Sequence, residues 1–437
     1  MADSTASRFA RWQLLTGAAL LFGYGGYYIC RSNLSVSVPA LVADGATGLD
    51  RGDIGLISSA GIVAYAAGKA VTGVAGDFFG GRLLFLGGLF LSVVATLGFS
   101  GSHGLPVFLA IWVFNRFVQS AGWGGVTKTA AHWFPAGRYG VVMSLLSLSY
   151  LFGDAAGRYL LGTLMSGGMG WRGIFVASAL VLAVIGACAA LVLRDSPRQL
   201  GFPEPDVSPS NVFGTDGASS TPDSLRDLLG PYVQAPSFWL VCAMAFGMTL
   251  IREAFNTWIP AYLVDAHQLT AGTAAEYSAL FPLLGGVSAL AVGFLTDRAG
   301  SGNRITLVVP AMAGCALSLV VLGLATVRHD LWLSLAAICG TALFLLGPYT
   351  LLAGAVAMDM GGRKGSATAA GLIDTAGYAG GTLSGVWLGR LAETGGWPAV
   401  FSVMALVSAG VALVALGYWL EHRRRTVWRL APTPELS

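Results

Sequence analysis

Twelve long apolar runs recur along this chain of 437 residues, separated by short polar or glycine-containing segments. An α-helix needs about 20 mainly apolar residues to cross the hydrocarbon core of a bilayer, and each run reaches roughly that length. Only 11% of the residues are charged, less than half of the roughly 25% found in soluble domains. The sequence therefore predicts an all-α membrane protein with twelve transmembrane helices. We expect these spans near residues 12–39, 51–77, 83–101, 105–133, 138–164, 171–193, 236–264, 272–297, 304–326, 331–359, 365–390 and 397–420.

A stretch rich in Pro, Ser, Asp and Gly interrupts this pattern after the sixth span and has the composition of a linker. We expect an N-terminal six-helix bundle (1–194), a cytoplasmic linker (195–234), a C-terminal six-helix bundle (235–421) and a cytoplasmic tail (422–437). Lys and Arg concentrate on the cytoplasmic side of membrane proteins. Fifteen of them fall on the side of the N-terminus and at most four on the other, so both termini are predicted to be cytoplasmic.

The two halves carry matching residues at nearly constant separation. The motif Gly73–Asp77 ends the second span and Gly293–Asp297 ends the eighth, 220 residues later; Arg31 and Arg252 lie in the middle of the first and seventh spans, 221 residues apart. Parallel repeats of this kind place equivalent residues opposite each other around a site at the bilayer midplane. We therefore expect two pseudo-symmetric bundles that share a central site.

One helical face of the first span combines aromatic hydroxyls with a cation. Tyr24, Tyr27, Tyr28 and Arg31 are spaced i, i+3, i+4 and i+7, so they share that face. A charge at this depth is costly and seldom persists without a functional or pairing role. The fork of donors on Arg matches phosphate or carboxylate, so we expect an anion site here. The alternative is an Arg31 that is neutralised by an acidic side chain of a neighbouring helix.

Arg31 and Arg252 together could hold a dianionic group such as a phosphate ester in one cavity. The alternative is that each arginine makes a separate ion pair. Glu253 follows Arg252 directly in the chain, but adjacent residues of a helix do not face each other. We therefore favour the paired-arginine site over neutralisation of Arg252 by Glu253.

Two further charged residues are predicted inside the membrane near this site. Lys69 follows Tyr65 by four residues on the same face of the second span and would add positive potential to the cavity; alternatively its side chain snorkels to the interface. Asp374 is the one acidic residue of the eleventh span. It could pair with Arg252 or Lys69, contact a substrate hydroxyl or carry a proton, and the sequence does not rank these roles.

Other charged residues within the spans have plainer interpretations. Asp154 and Arg158 are four residues apart in the fifth span and can form an ion pair within the helix, or act in gating. Lys128 and His132 lie near the cytoplasmic end of the fourth span, where we expect them to be solvated. Arg116, in the same span, is predicted to be a buried ion-pair or gating residue.

The sequence also disfavours several function classes. It contains no pattern typical of a nucleotide-binding loop, a metal site or a catalytic triad, so we expect neither an enzyme nor a cofactor or metal requirement. The net charge of +3 gives no reason to expect a nucleic-acid partner. The five cysteines lie within apolar runs and are interpreted as packing residues.

The two Gly-x-x-x-Asp motifs, Asp77 with Arg82 and Asp297 with Arg298, resemble the cytoplasmic-loop signature of the major facilitator superfamily. The resemblance implies the major facilitator fold and covers nearly the whole chain. It assigns these four residues to the conformational switch, where the aspartates would cap or pair at helix ends.

Within that superfamily the chain most resembles the organophosphate:phosphate antiporters, on Gly23–Asn33, Ala64–Lys69, Gly122–Trp123, Arg252–Trp258 and Gly365–Gly371. The resemblance implies that Arg31 and Arg252 bind phosphate, with Lys69 and the tyrosines nearby. Several positions depart from the family. Tyr150 stands where glycerol-3-phosphate transporters carry a histidine, Gly124-Gly125-Val126 stands where members often show Pro-Pro-Cys, and Arg116 replaces a usual Gly. These departures leave the organic part of the substrate and the coupling mode open.

The expected function is secondary transport that exchanges an organic phosphate for inorganic phosphate by alternating access. The protein would be a monomer in the lipid bilayer, which the resemblance places in a bacterial inner membrane. A first alternative is a proton-coupled symporter of carboxylates or sugar acids, which Arg116 would also suit. A second alternative is a sensor that binds phosphate esters without transporting them.

Overall fold

The computed structural model describes residues 2–45, 47–219, 221–300 and 303–430, and these residues form helices joined by short connections, without a β-strand among them. The predicted all-α class is confirmed. The helices, in chain order, are α1 Ala2–Ala43, α2 Arg51–Phe79, α3 Gly81–Ser100, α4 Leu105–Gln119, α5 Ala121–Trp133, α6 Tyr139–Ser166, α7 Trp171–Val192, α8 Leu225–Gln234, α9 Pro236–His267, α10 Ala271–Ser278, α11 Leu280–Ala299, α12 Val308–Val327, α13 Leu331–Leu351 and α14 Ala357–Leu430.

Nine helical stretches within the described residues are long and apolar enough to cross a membrane. The difference from the twelve predicted spans has three causes. The fourth span is divided at Ser120 into α4 and α5, each too short alone. The tenth and eleventh spans form one continuous stretch, 331–385. The first span is long enough but less apolar than the others, because it carries the tyrosines and Arg31.

Local sequence signals fix the ends of α2, the helix that carries Tyr65 and Lys69. Asp50 precedes its first turn, and its carboxylate accepts a hydrogen bond from the Asp53 amide at 2.8 Å. The Asp53 carboxylate accepts the Asp50 amide at 3.1 Å in return, which satisfies two amide groups that the helix leaves without partners. At the other end Gly80 has a φ of 92°, which favours glycine and ends the helix.

The described chain divides into two compact units. In the first, residues 1–228 with 353–375, α1 packs against α6 and α7, and α2 packs against α4 and α5. Helices α1 and α6 approach closely at two glycines: a Cβ atom on Gly153 would lie 2.5 Å from the carbonyl oxygen of Gly25. The second unit comprises residues 229–352 with 376–437, and in it α13 packs against α9, α11 and α12. The predicted bundle boundaries stay a prediction.

The segment predicted to be a linker is folded, in spite of its composition. It contains two turns of 3₁₀ helix, Pro197–Leu200 and Gly214–Ala218, and leads into α8. Its Glu204 side chain is only 6% exposed, so the segment packs within the first unit. Of the predicted cytoplasmic tail, residues 422–430 continue the backbone of α14, and 431–437 lie outside the described residues.

Candidate functional site

Three cationic side chains of the first unit surround the ring of Tyr65, and we call this group the Tyr65 cluster. The guanidinium carbon of Arg31 lies 4.4 Å and that of Arg116 4.6 Å from the ring centroid. The ammonium nitrogen of Lys69 lies 5.1 Å from the same centroid. Helices α1, α2 and α4 each contribute one cation, and the negative face of an aromatic ring attracts all three. The predicted proximity of Arg31, Lys69 and Tyr65 is present, and Arg116 joins them.

Asp374 is the acidic side chain that pairs with this cluster. Its carboxylate lies 2.7 Å from the Lys69 ammonium, and the two side chains are 15% and 4% exposed. Helix α14 comes close enough to α2 for this contact because Gly371 has no side chain: a Cβ atom there would lie 2.2 Å from the Lys69 carbonyl oxygen. Of the roles left open for Asp374, the structure displays the ion pair with Lys69. The buried Lys69 does not snorkel to an interface.

The tyrosines of the first span divide between two environments. Tyr28 lies under the Arg31 guanidinium, 4.3 Å from it, and its ring centroid is 6.0 Å from that of Tyr150. Tyr24 contacts the ring of Tyr28 at 5.6 Å. Tyr27 differs, because its hydroxyl donates a hydrogen bond to the carbonyl oxygen of Phe85 in α3 at 2.6 Å. The expectation that all three hydroxyls point with Arg31 is therefore wrong for Tyr27.

Arg252, in the second unit, has different surroundings. Its guanidinium lies 2.6 Å from the Glu253 carboxylate, donates a hydrogen bond to the Tyr349 hydroxyl and lies 4.7 Å from the centroid of that ring. The Arg252 and Glu253 side chains are 21% and 27% exposed. The expectation that Glu253 does not pair with Arg252 is therefore wrong, because both side chains are long enough to meet beside the helix. Tyr349 was not among the predicted site residues.

Asp77, the aspartate of the first Gly-x-x-x-Asp motif, is completely buried. Its carboxylate lies 2.9 Å from the Lys128 ammonium and accepts hydrogen bonds from the backbone amides of Ala367 at 3.3 Å and Thr368 at 2.7 Å. Charge-assisted hydrogen bonds of this kind are about twice as strong as neutral ones. Arg82, of the same motif, donates its amide to Asp195 at 2.8 Å.

The aspartate of the second motif, Asp297, is less completely buried than Asp77. The Asp297 carboxylate forms an ion pair with Arg304 and is 12% exposed. Arg298 lies over the ring of Phe294, at 4.2 Å from its centroid. Asp154 and Arg158 form an ion pair within α6 at 2.8 Å, with side chains that are 36% and 55% exposed. Asp154 also accepts a hydrogen bond from the Ser32 hydroxyl at 2.7 Å.

Lys128 and His132 are buried, so the expectation that they are solvated is wrong. Every residue of α5 is buried, and the Lys128 ammonium also donates a hydrogen bond to the carbonyl oxygen of Lys364 at 3.3 Å. His132 lies 3.0 Å from the Glu204 carboxylate. The partners of both residues are distant in sequence, which is why a local pattern did not reveal them.

Glu204 is the centre of a charged group that we call the Glu204 cluster, formed with His132, Arg198 and Arg363. Besides His132, its carboxylate contacts Arg198 at 3.0 Å and Arg363 at 3.2 Å. The hydrogen bond to His132 and these positive charges hold the pKa of Glu204 below its usual value, although burial opposes the shift. The cluster joins the folded linker to α14 at Arg363, directly after Gly362, which has a φ of 56°.

The sequence profile of the Major Facilitator Superfamily matches residues 20–385. A probable hexose phosphate transport protein of Chlamydia pneumoniae is 25% identical to this chain, over 96% of this chain and 94% of its own length. The glycerol-3-phosphate transporter of Bacillus subtilis is 25% identical over 95% and 94%. The membrane sensor protein UhpC of Escherichia coli is 26% identical over 94% and 93%.

Among solved structures, that of a proton:xylose symporter superposes with a TM-score of 0.70, covering 94% of this chain and 96% of its own. The two sequences are 14% identical, so this likeness concerns the fold alone. Together with the helical architecture, it confirms the predicted fold class of two six-helix bundles.

Proposed function

Because this chain belongs to the Major Facilitator Superfamily, we propose that it is a secondary transporter that exchanges an organic phosphate for inorganic phosphate. It would work by alternating access in a bacterial inner membrane, with both termini in the cytoplasm and with the monomer as the working unit. The observation that carries this proposal is the Tyr65 cluster, in which three cations from α1, α2 and α4 converge on one ring.

An anion with several oxygens suits such a site better than a neutral substrate does. Arg31, Lys69, Arg116 and Asp374 carry a formal charge of +2 as a group, and a phosphate ester carries about −1.5 to −2 at pH 7. Guanidinium groups bind phosphate oxygens with two parallel hydrogen bonds. The similarity to hexose phosphate and glycerol-3-phosphate transporters, over more than nine-tenths of the chain, supports the same substrate class.

Arg31 would bind the phosphate from the first unit and Arg252 from the second. Each unit holds an internal carboxylate that pairs with one of its cations: Asp374 contacts Lys69 of the Tyr65 cluster, and Glu253 contacts Arg252. Phosphate would compete with these carboxylates for the cations and draw the two arginines toward one ligand. Reorientation without phosphate would leave buried charges incompletely compensated, which is costly in a low-dielectric cavity. Because of that cost, the protein would reorient only with a bound phosphate or phosphate ester, and transport in one direction would require transport in the other.

Asp77 would contribute to the conformational switch. It holds the Lys128 ammonium and two backbone amides of α14 at a completely buried position. These contacts stabilise one arrangement of α2, α5 and α14, and they have to break when that arrangement changes. Asp297, which pairs with Arg304 and is 12% exposed, would contribute less.

The test is counterflow into proteoliposomes that contain purified protein. Vesicles preloaded with inorganic phosphate should accumulate labelled phosphate and labelled hexose phosphate or glycerol phosphate, and vesicles without internal phosphate should not. Uptake that needs a pH gradient and no internal phosphate would overturn exchange and support a proton-coupled symporter. A panel of phosphate esters and organic acids as competitors would then identify the organic part of the substrate.

A second candidate function is a phosphate-ester sensor, because one similar protein is the membrane sensor UhpC. A sensor would bind the same anions through the same cations but would not carry them. Saturable binding of a phosphate ester by purified protein, with no counterflow under any loading, would favour this candidate.

A further inference from the structure

We infer that a groove on the outside of the first unit binds one acyl chain of an anionic phospholipid, whose headgroup phosphate contacts Arg138. The groove has a cavity volume of about 770 Å³ and lies between α1, α6 and α7. It is separate from the Tyr65 cluster: none of the cluster residues lines it.

The wall of the groove is apolar and its floor is made of small residues. Leu14, Phe22, Leu145 and Phe152 line it with side chains that are 74%, 67%, 48% and 68% exposed. The floor lies where α1 and α6 pack closely at Gly25 and Gly153. A Cβ atom on Gly153 would lie only 2.5 Å from the carbonyl oxygen of Gly25. A chain of this family crosses a bilayer, so these exposed apolar side chains face lipid, and acyl chains are the solvent that fills such a groove.

The length of the groove fits one acyl chain. Along α1 its lining runs from Ala10 to Ile29, about 28 Å at 1.5 Å per residue. One leaflet contributes about 15 Å to the hydrocarbon core. An acyl chain that enters at Gln13 would therefore lie in the groove over the whole depth of one leaflet, about 15 Å, which ends near the level of Phe22.

The polar end of the groove selects for a negative headgroup. Arg138 and Gln13 line that end, and Arg138 is exposed. Helix α6 starts directly after Arg138, so the positive end of its dipole adds to the charge of Arg138. A second exposed cation, Arg11, lies about one helical turn before the groove residue Leu14 in α1. This end is cytoplasmic in the predicted topology, and anionic lipids attract such juxtamembrane cations.

Native mass spectrometry of the whole purified protein, extracted into mild detergent and mixed with equal amounts of phosphatidylglycerol and phosphatidylcholine, tests this inference. The wild type should retain one phosphatidylglycerol in at least fivefold preference over phosphatidylcholine. Arg138→Gln should reduce that preference to about twofold or less. Ala18→Trp, which fills the groove, should remove the retained lipid of either kind.

Two matched variants separate the groove from general effects. Arg226→Gln removes an exposed cation from α8, which does not line the groove. Val94→Trp adds the same bulk as Ala18→Trp at an exposed position of α3. Both variants should retain lipid like the wild type. Equal retention by Ala18→Trp and the wild type would overturn the inference, as would an Arg138→Gln variant with unchanged lipid preference. A third outcome would also overturn the inference: a wild type with the mass of a dimer and an Ala18→Trp variant with the mass of a monomer. That result would mean that a second copy of the chain occupies the groove.

Discussion

The two halves of this chain carry the same residues at matching positions, but the structure surrounds them differently. Arg31 lies against two aromatic rings in a group of three cations, whereas Arg252 is already paired with Glu253 and bonded to Tyr349. Asp77 is completely buried, whereas Asp297 is partly exposed. A sequence repeat therefore preserves which residues occur, while the neighbouring helices decide what each residue does. We expect the first unit to dominate both phosphate affinity and the switch.

The largest difference between the two units should be the loss of stability when each motif aspartate, Asp77 or Asp297, is replaced. Asp77→Asn removes the counterion of a Lys128 that is 2% exposed, and breaking a buried pair in this way costs about 3–5 kcal/mol. Asp297→Asn should cost less, about 1–3 kcal/mol, because the Asp297 carboxylate is 12% exposed and partly hydrated, although its Arg304 partner is only 1% exposed. Thermal unfolding of both purified variants, followed by tryptophan fluorescence, measures the difference. Equal losses of melting temperature would show that the burial of Asp77 has no energetic consequence.

The second-largest difference should be in the exchange rate when Arg31 or Arg252 is replaced. Arg31→Lys loses the planar fork and the stacking on Tyr28 and Tyr65, so phosphate exchange should fall about 100-fold, as expected for a lost charged hydrogen-bonding group. Arg252→Lys should lower exchange about tenfold, because lysine can still pair with Glu253. Both variants should elute as folded protein in size-exclusion chromatography. Wild-type exchange rates in both variants would refute their role in the site.

The internal carboxylates should have smaller and opposite effects. Asp374→Asn frees Lys69 from its partner at 2.7 Å, so inorganic phosphate should bind about fivefold more tightly, roughly 1 kcal/mol. Glu253→Gln should tighten binding about twofold, because the Arg252 pair is more exposed. Competition between unlabelled and labelled phosphate in counterflow gives both affinities. Weaker binding in Asp374→Asn would mean that this carboxylate supports the site instead of competing with phosphate.

The Glu204 cluster should give the smallest effect, and a pH-dependent one. Because the folded pKa of Glu204 is held below its ordinary value of 4.5, its contribution to stability is complete above that value and is lost as the pH falls through the folded pKa. Glu204→Gln should therefore lower the melting temperature by a few degrees at pH 7. This difference in melting temperature from the wild type, the gap, should disappear at acid pH. Asp206→Asn, an exposed neighbour, is the control and should show no gap. A gap that widens on acidification would contradict the account.

Much of the fold could be predicted from the sequence, because the length of apolar runs is a strong signal in membrane proteins. The face that holds Tyr28 and Arg31 and the proximity of Lys69 to Tyr65 follow from helical spacing. These are local features, which depend on a single helix or on its pattern.

Contacts between distant segments could not be predicted in the same way. Tyr27 hydrogen-bonds to Phe85 because α3 happens to pack beside it, and no spacing rule identifies that helix. The composition of the linker hides a buried Glu204 that meets His132, 72 residues earlier in the chain. Arg116 could be identified as a buried charge, but its position at the ring of Tyr65 depends on the packing of α4 against α2.

The central claim is that Arg31 and Arg252 bind the same phosphate, and a double-mutant cycle tests it most directly. Inorganic phosphate affinity would be measured by isothermal titration calorimetry for the wild type, Arg31→Lys, Arg252→Lys and the double variant. Residues that share one ligand should show a coupling energy of about 1 kcal/mol or more. Losses that add to within about 0.3–0.5 kcal/mol would mean that the two arginines act independently, and would contradict the account.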